Sequence, residues 1–596
     1  MLGRRSFIAI GTLALLGPLG AACARRDVSA TATAAPAATP AEAKPAATAA
    51  SPAAAQPAGA AATAPAAAAA PAATAAPAKP AAPAKPAGTP KRGGTLNTLV
   101  QNDWVRLDPL LDTGSGNGFN MLFDTYILWV QDQSGAWTYA PALFAEWDLK
   151  ADAATFKLQK GVKFHDGTPW DAQAAKWNLD RLIFHPQSLQ KGIFANVDSS
   201  KEDPAELQKL NDLNLQSFDF VSKAVEVVDE STVRLRLKRP IAPILGALAG
   251  TSTSPVSPTA YQKMGKDAFG RAPVGAGPFK FVEWKPSDRM VLERFPEYWR
   301  KGADGQPLPY LDRISYRLVI DDAVRLLEVK SGNAHFMESV LAKDVPTVRS
   351  DPSLTLIESD GQGISRRLTF DGKNPQSPFV KYPDLRKAMQ YGLDRQAMAK
   401  ALGFESGVPD RWIFAKSSWA YDESAPYYAP DKAKAQQLVK DVLAKDPSLA
   451  SAGGKIPVTL TVISRTVDKI QSEMIKEMAA AFGFDITIEI LERAAFVAKI
   501  VQLPSKPGAD YHITTVQNPL TPADPDGNPR SILHSMGGQN YNHLPVFDEL
   551  IDKAAGTYDL AERKKAYKEF MQKDYEQSLM AYMWFQKYNW LHSKKL

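Results

Sequence analysis

The sequence contains one cysteine and seven histidines among its 596 residues. A single thiol cannot pair within its own chain, so a disulfide-stapled fold is excluded, and so is a zinc or iron–sulfur site built from cysteines. The histidines show no metal-ligand spacing, and no His-Glu-x-x-His motif occurs. We therefore expect neither a bound metal nor a cofactor.

Catalytic motifs are also missing. There is no phosphate loop, nucleophile elbow or complete dinucleotide fingerprint. Residues 112–115 read Asp-Thr-Gly-Ser, as in one half of an aspartic peptidase, but the second copy that such an enzyme needs is absent, so we interpret a flexible loop. Residues 524–529 are reminiscent of a calcium loop, yet the glycine is displaced and Ser535 occupies the twelfth position, which favours a turn. We expect no catalytic residue; a secreted hydrolase is kept as a remote alternative.

Most of the chain carries almost no net charge. Of the 70 Lys and Arg and 64 Asp and Glu residues, nine basic and two acidic ones precede Gly93, which leaves 61 basic and 62 acidic residues for 93–596. A protein that binds nucleic acid needs a basic patch on its folded part, and none is visible there. We therefore predict no nucleic-acid partner.

The first residues are typical of an export signal. Arg4 and Arg5 precede an apolar stretch at 7–19, which is shorter than the roughly 20 residues of a membrane span. The paired arginines resemble a twin-arginine signal, and an ordinary Sec signal is the alternative. We predict that residues 1–22 are removed.

Cys23 follows Leu-Gly-Ala-Ala, a sequence that resembles a bacterial lipobox. We predict lipidation of Cys23 and anchoring by two acyl chains to the outer face of the cytoplasmic membrane, in the periplasm or at the cell surface. A free thiol, or one lost with the leader, is the alternative. Residues 30–90 are mostly Ala and Pro without Leu, Ile, Val or aromatics, so we interpret 23–92 as a disordered tether.

Beyond Gly93 the sequence predicts a mixed α and β fold. Alternating apolar and polar residues, typical of half-buried strands, occur at 155–159, 232–238, 458–462 and 486–490. Apolar residues at helical spacing over 470–482 lie between the last two strands and predict a strand, helix, strand crossover with parallel strands. Asp559, followed by Glu562, predicts a helix start.

Several segments, in order, resemble the solute-binding lipoproteins of ABC importers, namely the peptide- and nickel-binding family 5. They include Gly93-Gly94-Thr95-Leu96, Leu107-Asp108-Pro109, the run from Pro141 to Trp147, the run from Phe156 to Pro169, Val274 to Phe279, Tyr298-Trp299 and Leu385 to Arg395. This resemblance implies an α/β, two-lobed, periplasmic-binding-protein type II-like clamshell with a subdomain inserted in the first lobe. It implies lobe 1 at 93–345, lobe 2 at 346–575 and a C-terminal return to lobe 1 at 576–596, shorter than the usual closing strands of the family.

The resemblance also implies the function. The protein would be the extracytoplasmic receptor of an ABC importer, not an enzyme, and would pass a peptide or other small polar solute to the membrane permease. In peptide-binding relatives an acidic residue holds the peptide ammonium, and the matching position is Thr521, with Asn518 at the place of a tryptophan. A hydroxyl cannot match a carboxylate there, which weakens the peptide interpretation unless a shifted alignment gives Asp524 that role.

We expect the solute cleft to be apolar and aromatic with a few polar anchors. The candidate residues are Trp104, Asn117, Phe119, Trp412, Trp419, Asn518, Thr521 and Asp524. Each tryptophan could equally be a core residue. An oligosaccharide is the alternative ligand, because aromatic faces stack on sugar rings. A surface adhesin or scaffold is a further alternative, and we expect a monomer.

Overall fold

The fold was analysed in a computed structural model. The structure describes residues 90–111, 118–131, 137–188, 190–210, 212, 215–372, 374, 377–403, 407–500, 512–520, 524–537 and 544–594. All of these belong to one unit, Ala69–Leu596. The predicted signal, Cys23 and nearly all of the predicted tether lie outside the described residues, as do Asn117, Thr521 and the Asp-Thr-Gly-Ser segment.

The described part of the chain contains 17 strands. They are β1 (Thr95–Val100), β2 (Ile127–Gln131), β3 (Trp137–Pro141), β4 (Phe144–Leu149), β5 (Ala153–Leu158), β6 (Val225–Asp229), β7 (Thr232–Arg236), β8 (Phe279–Lys285), β9 (Arg289–Arg294), β10 (Arg313–Leu318), β11 (Phe336–Glu338), β12 (Leu354–Phe370), β13 (Gly407–Pro409), β14 (Ile456–Ile463), β15 (Phe484–Leu491), β16 (Ile513–Leu520) and β17 (Met580–Ser593).

The same residues form 16 α-helices. They are α1 (Phe119–Leu122), α2 (Ala172–Phe184), α3 (Pro204–Lys209), α4 (Ile244–Leu248), α5 (Pro258–Phe269), α6 (Asp322–Ser331), α7 (Val345–Ser350), α8 (Pro378–Lys381), α9 (Pro383–Gly392), α10 (Arg395–Gly403), α11 (Lys432–Lys445), α12 (Thr466–Ala480), α13 (Arg493–Ile500), α14 (Gly527–Leu533), α15 (Pro545–Ala555) and α16 (Leu560–Gln577). None of the described helices is long and apolar enough to cross a membrane.

One large mixed sheet runs through two α/β lobes. Its order is β15-β14-β16-β12-β17-β11-β1-β10-β9-β8, with β13 paired to β17. In lobe 1, β1 is parallel to both β10 and β11. In lobe 2, β14 is parallel to both β15 and β16. The carboxyl ends of parallel strands are where open α/β sheets bind ligands, so each lobe offers one such edge.

Strands β12 and β17 join the lobes. The first part of β12, from Leu354 to Glu358, pairs with the end of β17, which also pairs with β11 of lobe 1. The second part of β12, from Gly363, pairs with the start of β17 and with β16 of lobe 2. The register shifts between Glu358 and Gly363, and such an irregularity bends a strand pair locally. We name this crossing the hinge.

A smaller unit is inserted into lobe 1. Residues 127–248, here called the inserted subdomain, contain the hairpin β2–β3 and the antiparallel sheet β4-β5-β7-β6. Phe156, Val233 and Leu235 on one face of this sheet are fully buried, whereas Arg234 between them is exposed. The core of the subdomain is therefore built by the alternation that the sequence shows.

Local predictions in lobe 2 are largely confirmed. Strands β14 and β15 are parallel and joined through α12, as the crossover pattern predicts. Asp559 caps α16 by accepting from the backbone N–H of Glu562 at 2.9 Å. One residue of the predicted stripe is wrong: Ile470 is half exposed, whereas Ile475 is fully buried. The helix contacts its sheet over a narrower face than the stripe implies.

Candidate functional site

A cavity lies at the hinge, where the carboxyl ends of strands from both lobes meet. It has an empty volume of about 640 Å³ and opens to solvent. The lobe 1 part of the lining follows strands β1, β10 and β11. The lobe 2 part lies on β12 and β16 and after β14. Residues from the middle of β17 complete the lining. The lining residues are Gln101, Asp322, Ser339, Val340, Leu341, Ala342, Ile364, Arg366, Leu402, Arg465, Thr466, Val467, Gln517, Gln586, Lys587, Tyr588 and Asn589. We name it the hinge cavity.

Two arginines of lobe 2 form a cationic wall in this cavity. Arg366 of β12 donates from Nη1 to Oδ1 of Asp468 at 3.3 Å, and Arg465 donates from Nε to Oδ2 of the same carboxylate at 2.7 Å. Arg366 is only 5% exposed, and its Nε has no hydrogen-bond partner among the described residues. Burial, reinforced by the charge of Arg465, lowers the pKa of Arg366 to about 10. One carboxylate thus serves two guanidinium groups.

The amino end of α12 points into the same wall. Thr466 begins the helix, and Arg465 before it provides no side-chain cap. The first N–H groups of a helix have no partner within the helix and carry partial positive charge. A carboxylate or phosphate placed there would complement both the helix end and the two arginines.

Charges elsewhere on the lining do not offset this wall. Lys587 is exposed on the hinge strand. Asp322 is the one carboxylate among the described lining residues, and it is paired with Arg325 in α6. The described surface of the cavity is therefore positively charged.

A strained turn from lobe 1 closes the other side of the cavity. Ser339 has a φ of 59°, a left-handed conformation that is unfavourable for a residue with a side chain. The turn is held by Asn589 of β17, which accepts from the N–H of Val340 at 2.8 Å and donates to its carbonyl at 3.1 Å. Backbone strain concentrates at ligand sites, where neighbouring contacts enforce it.

The lobes meet a second time, away from the hinge cavity. Helix α4 of the inserted subdomain approaches lobe 2 so closely that a Cβ on Gly246 would lie 3.0 Å from the Cβ of Asp524. The side chain of Asp524 is 9% exposed and pairs with Arg563 of α16 at 3.1 Å. Burial raises the pKa of the Asp524 carboxyl, and Arg563 opposes that rise. We name the surface between the inserted subdomain and lobe 2 the rim contact.

A smaller pocket lies in lobe 2. It has an empty volume of about 290 Å³ and is lined by Gln390, Arg395, Asp410, Arg411, Trp412, Tyr427, Tyr428, Asp574, Tyr575 and Tyr582. Tyr582 donates to Oδ2 of Asp574 at 2.5 Å, and burial raises the pKa of Asp574 to about 7. The lining comes from lobe 2 and from the start of β17, which pairs with the lobe 2 part of β12, so this pocket does not depend on the apposition of the lobes.

The three tryptophans and Phe119 pack mainly in hydrophobic cores. Trp104 and Phe119 belong to one core of lobe 1, each almost fully buried. Trp412 is buried in a core of lobe 2, where it also lines the smaller pocket, and Trp419 packs at a tilt against Tyr567 beneath the guanidinium of Arg563. None of the four lines the hinge cavity.

Of the polar candidates among the described residues, Asn518 lies near the hinge cavity and Asp524 lies at the rim contact. Asn518 is buried on β16, opposite Ser365 of β12 and next to Gln517, which lines the hinge cavity. Both carboxylate oxygens of Asp524 accept from Arg563, at the rim contact and not in the hinge cavity. Asp526, in the segment compared with a calcium loop, pairs with Arg530 at 2.7 Å. No group of metal-ligating residues occurs in the described part of the chain.

The sequence prediction missed Arg366 and Arg465. A signal for Arg465 was present, because it follows the apolar strand β14 and precedes a helix, the position at which α/β sheets bind ligands. Arg366 lies beside Arg367 in the part of β12 that the structure buries, and a buried charge needs a partner or a ligand.

Residues 138–540 match the sequence profile described as bacterial extracellular solute-binding proteins, family 5 middle. The glutathione-binding protein GsiB of Salmonella paratyphi A is 32% identical over 291 residues, 48% of this chain and 49% of the relative. GsiB of Escherichia coli K12 is 30% identical over 290 residues, with the same coverage. The chain thus spans about half the length of the curated relatives it matches.

Solved structures share the fold over most of the chain. The binding protein DppA of Helicobacter pylori, in complex with the peptide STSA, has a TM-score of 0.70 at 20% identity and covers 85% of this chain and 95% of its own. AgaA of A. tumefaciens R10, in complex with agropinic acid, has a TM-score of 0.66 at 25% identity, with coverages of 84% and 94%. With the profile match over two thirds of its length, the chain belongs to the bacterial extracellular solute-binding proteins of family 5.

Proposed function

We propose that this protein is the extracytoplasmic solute-binding component of an ABC importer. It captures a small polar solute that carries a carboxylate, such as a peptide, and delivers it to the permease. The observation that carries the proposal is the hinge cavity, whose lining comes from both lobes and from the strand that joins them. A solute that contacts both lobes favours the closed arrangement, and no covalent step is needed.

The charge of the cavity supports an anionic group on the solute. Arg366 and Arg465 share a single carboxylate, and the amino end of α12 adds partial positive charge beside them. A guanidinium presents a planar set of donors that matches a carboxylate, which makes arginine suited to this task.

The positive end of a peptide has no comparable support among the described residues. Asp524 is held by Arg563, and Asp322 is paired with Arg325. The glutathione named for GsiB and the peptide bound by the Helicobacter protein make peptides the first class to test. Organic acids without an ammonium, a class that includes the ligand of AgaA, come next.

An oligosaccharide receives little support. Stacking on a sugar needs exposed tryptophan faces, but Trp104 and Trp412 are almost fully buried and Trp419 carries Arg563 on its ring. A neutral sugar also gains less than an anion from the arginine wall. Binding of a neutral sugar would therefore count against the proposal.

We further propose export and lipid anchoring at Cys23, as the basic start, the apolar stretch and the lipobox favour. The chain enters lobe 1 at Arg92, which pairs with Asp304 at 2.8 Å and donates to the carbonyl of Pro307. These contacts fix the point at which the predicted tether meets the folded part. We expect the receptor to act as a monomer.

The proposal is tested by thermal shift and calorimetry on the purified protein. The panel pairs each peptide with its C-terminal amide and adds glutathione, dicarboxylic acids and neutral oligosaccharides. A true ligand raises the melting temperature in step with RT ln(1 + [L]/Kd). We expect the shift with free carboxylates and its loss on amidation. No shift with any carboxylate, or a shift only with an oligosaccharide, would overturn the proposal.

A further inference from the structure

The rim contact contains polar contacts that hold the lobes together without touching the hinge cavity. Arg239 of the inserted subdomain reaches Asp552 of α15 with Nη2 at 3.7 Å from Oδ2. Its Nε donates to Oδ1 of Asn196 at 2.8 Å, which fixes the guanidinium from its own side. Asn196 of the inserted subdomain thus orients the guanidinium of Arg239, which pairs with Asp552 of lobe 2.

Arg530 makes the reciprocal contact from lobe 2. It is buried and held by Asp526 at 2.7 Å and Asp552 at 2.9 Å within its own lobe. Its Nη1 also donates to the carbonyl of Gly192 in the inserted subdomain at 3.1 Å. A Cβ atom built on Gly192 would lie 3.5 Å from Cγ and Cδ of Arg530, so the Gly192 backbone packs directly against this side chain.

A backbone hydrogen bond completes the set. The N–H of Ala242 donates to the carbonyl of Ala555 at 2.8 Å. Ala555 is the last residue of α15, and the final carbonyls of a helix have no donor within the helix. The inserted subdomain supplies the donor that lobe 2 lacks.

We propose that these contacts form a closure latch, which sets the affinity for the solute by stabilising the closed arrangement before the solute arrives. Its parts are Arg239, Ala242 and Gly192 on one side, and Asp552, Ala555 and Arg530 on the other. None of the six lines the hinge cavity. A protein whose competent state is populated only in part binds with an affinity reduced by that fraction, so weakening the latch weakens binding without altering a solute contact. The link to affinity rests on the proposed function, but closure itself does not.

The first test replaces Arg239 with Ala, because Arg530 is buried and its loss would damage the fold of lobe 2. The matched control is Arg234→Ala, which removes an arginine of the same subdomain whose pair with Glu226 is exposed. Because the Arg239 side chain is about half exposed, we expect Arg239→Ala to raise the dissociation constant only about 2- to 5-fold, mainly through faster dissociation, as an equal fall in the closed population produces. Unchanged affinity and dissociation rate, or an equal change in the control, would overturn the latch.

The second test measures closure without any solute. Ala242→Cys and Ala555→Cys are combined in a Cys23→Ser background, so the two new thiols are the only ones in the chain. The hydrogen bond between these residues brings their Cα atoms near the roughly 4.4–6.8 Å that disulfides span. We expect oxidation to close the bond in solute-free protein that has been unfolded, washed and refolded, and more slowly when Arg239→Ala is added.

The outcomes separate the latch from the proposed function. Cross-linking without solute supports the latch even if no solute is ever found for the hinge cavity. Cross-linking that requires solute, or that is as fast with Arg239→Ala as without it, overturns the latch and leaves the proposed function standing.

Discussion

Arg366 and Arg465 come from different elements of lobe 2 and donate to the same carboxylate. The distances to Asp468 are 3.3 Å from Arg366 and 2.7 Å from Arg465, and Asp468 is almost fully buried. An ion pair of one acid with two bases leaves a net positive charge beside the hinge cavity. In a site of low dielectric such a charge is costly unless a ligand or solvent balances it.

Replacing Arg465 with Gln should weaken the binding of a carboxylate solute. The loss of one charge-assisted hydrogen bond costs about 1–3 kcal/mol, a roughly 5- to 150-fold rise in the dissociation constant. Arg465 is partly exposed, and Arg366 continues to neutralise Asp468, so the fold should tolerate the change. Isothermal titration gives the affinity, and Arg234→Gln is the control; equal affinity in wild type and Arg465→Gln would contradict the assignment.

Asp574 should make the stability of lobe 2 depend on pH. Its pKa is raised from 3.8 to about 7 by burial. A carboxyl whose pKa is raised in the folded state stabilises that state when protonated, so the free energy of unfolding should fall as pH rises from about 4 to 7. The fall is about 4 kcal/mol at most.

The variant Asp574→Asn isolates this effect. The amide carries no charge and can still accept the hydrogen bond from Tyr582. Denaturant unfolding at pH 5 and pH 8 should show a smaller difference in the variant than in wild type. The same pH difference in both proteins would contradict the role of Asp574.

The left-handed backbone conformation of Ser339 should determine how substitutions there change the free energy of unfolding. We expect Ser339→Gly to keep the free energy of unfolding within about 1 kcal/mol of wild type, because glycine adopts this conformation without strain. Ser339→Val should lower it by about 1–2 kcal/mol, since a β-branched residue is poorly tolerated at positive φ. Chemical denaturation measures both, and a valine variant as stable as the glycine variant would contradict the strain.

Cys23→Ser should release the protein from the membrane. Without the thiol no diacylglycerol can be attached, and the remaining apolar stretch is shorter than a span. Fractionation of cells that express the full chain should move the variant from the membrane to the soluble exported fraction. Equal membrane retention would rule out the lipid anchor.

Local pattern predicted much of the fold. The alternation around Phe156 and Val233 gave two buried strand faces, and Asp559 marked the start of α16, because these signals depend only on neighbours in the chain. Ile470 was misplaced because helical spacing shows which residues share a stripe, but not how wide a face the sheet covers.

The site was harder to predict because it depends on contacts between distant parts of the chain. Trp104 and Trp412 have the composition of a ligand platform, yet tertiary packing places both in cores. Arg366 and Arg465 lie about a hundred residues apart and meet only through the register of β12 beside β16 and β14. The resemblance to family 5 predicted the two lobes and the cleft between them, but it did not predict the positive charge of the hinge cavity.

The most direct test of the central claim is mass spectrometry of the solute released when the purified full-length protein is denatured. The account predicts that wild-type protein releases a small molecule with at least one carboxylate, and that Arg465→Gln purified in the same way releases much less of it. Release of a neutral sugar, or of the same carboxylate in equal amount from Arg465→Gln, would contradict the account.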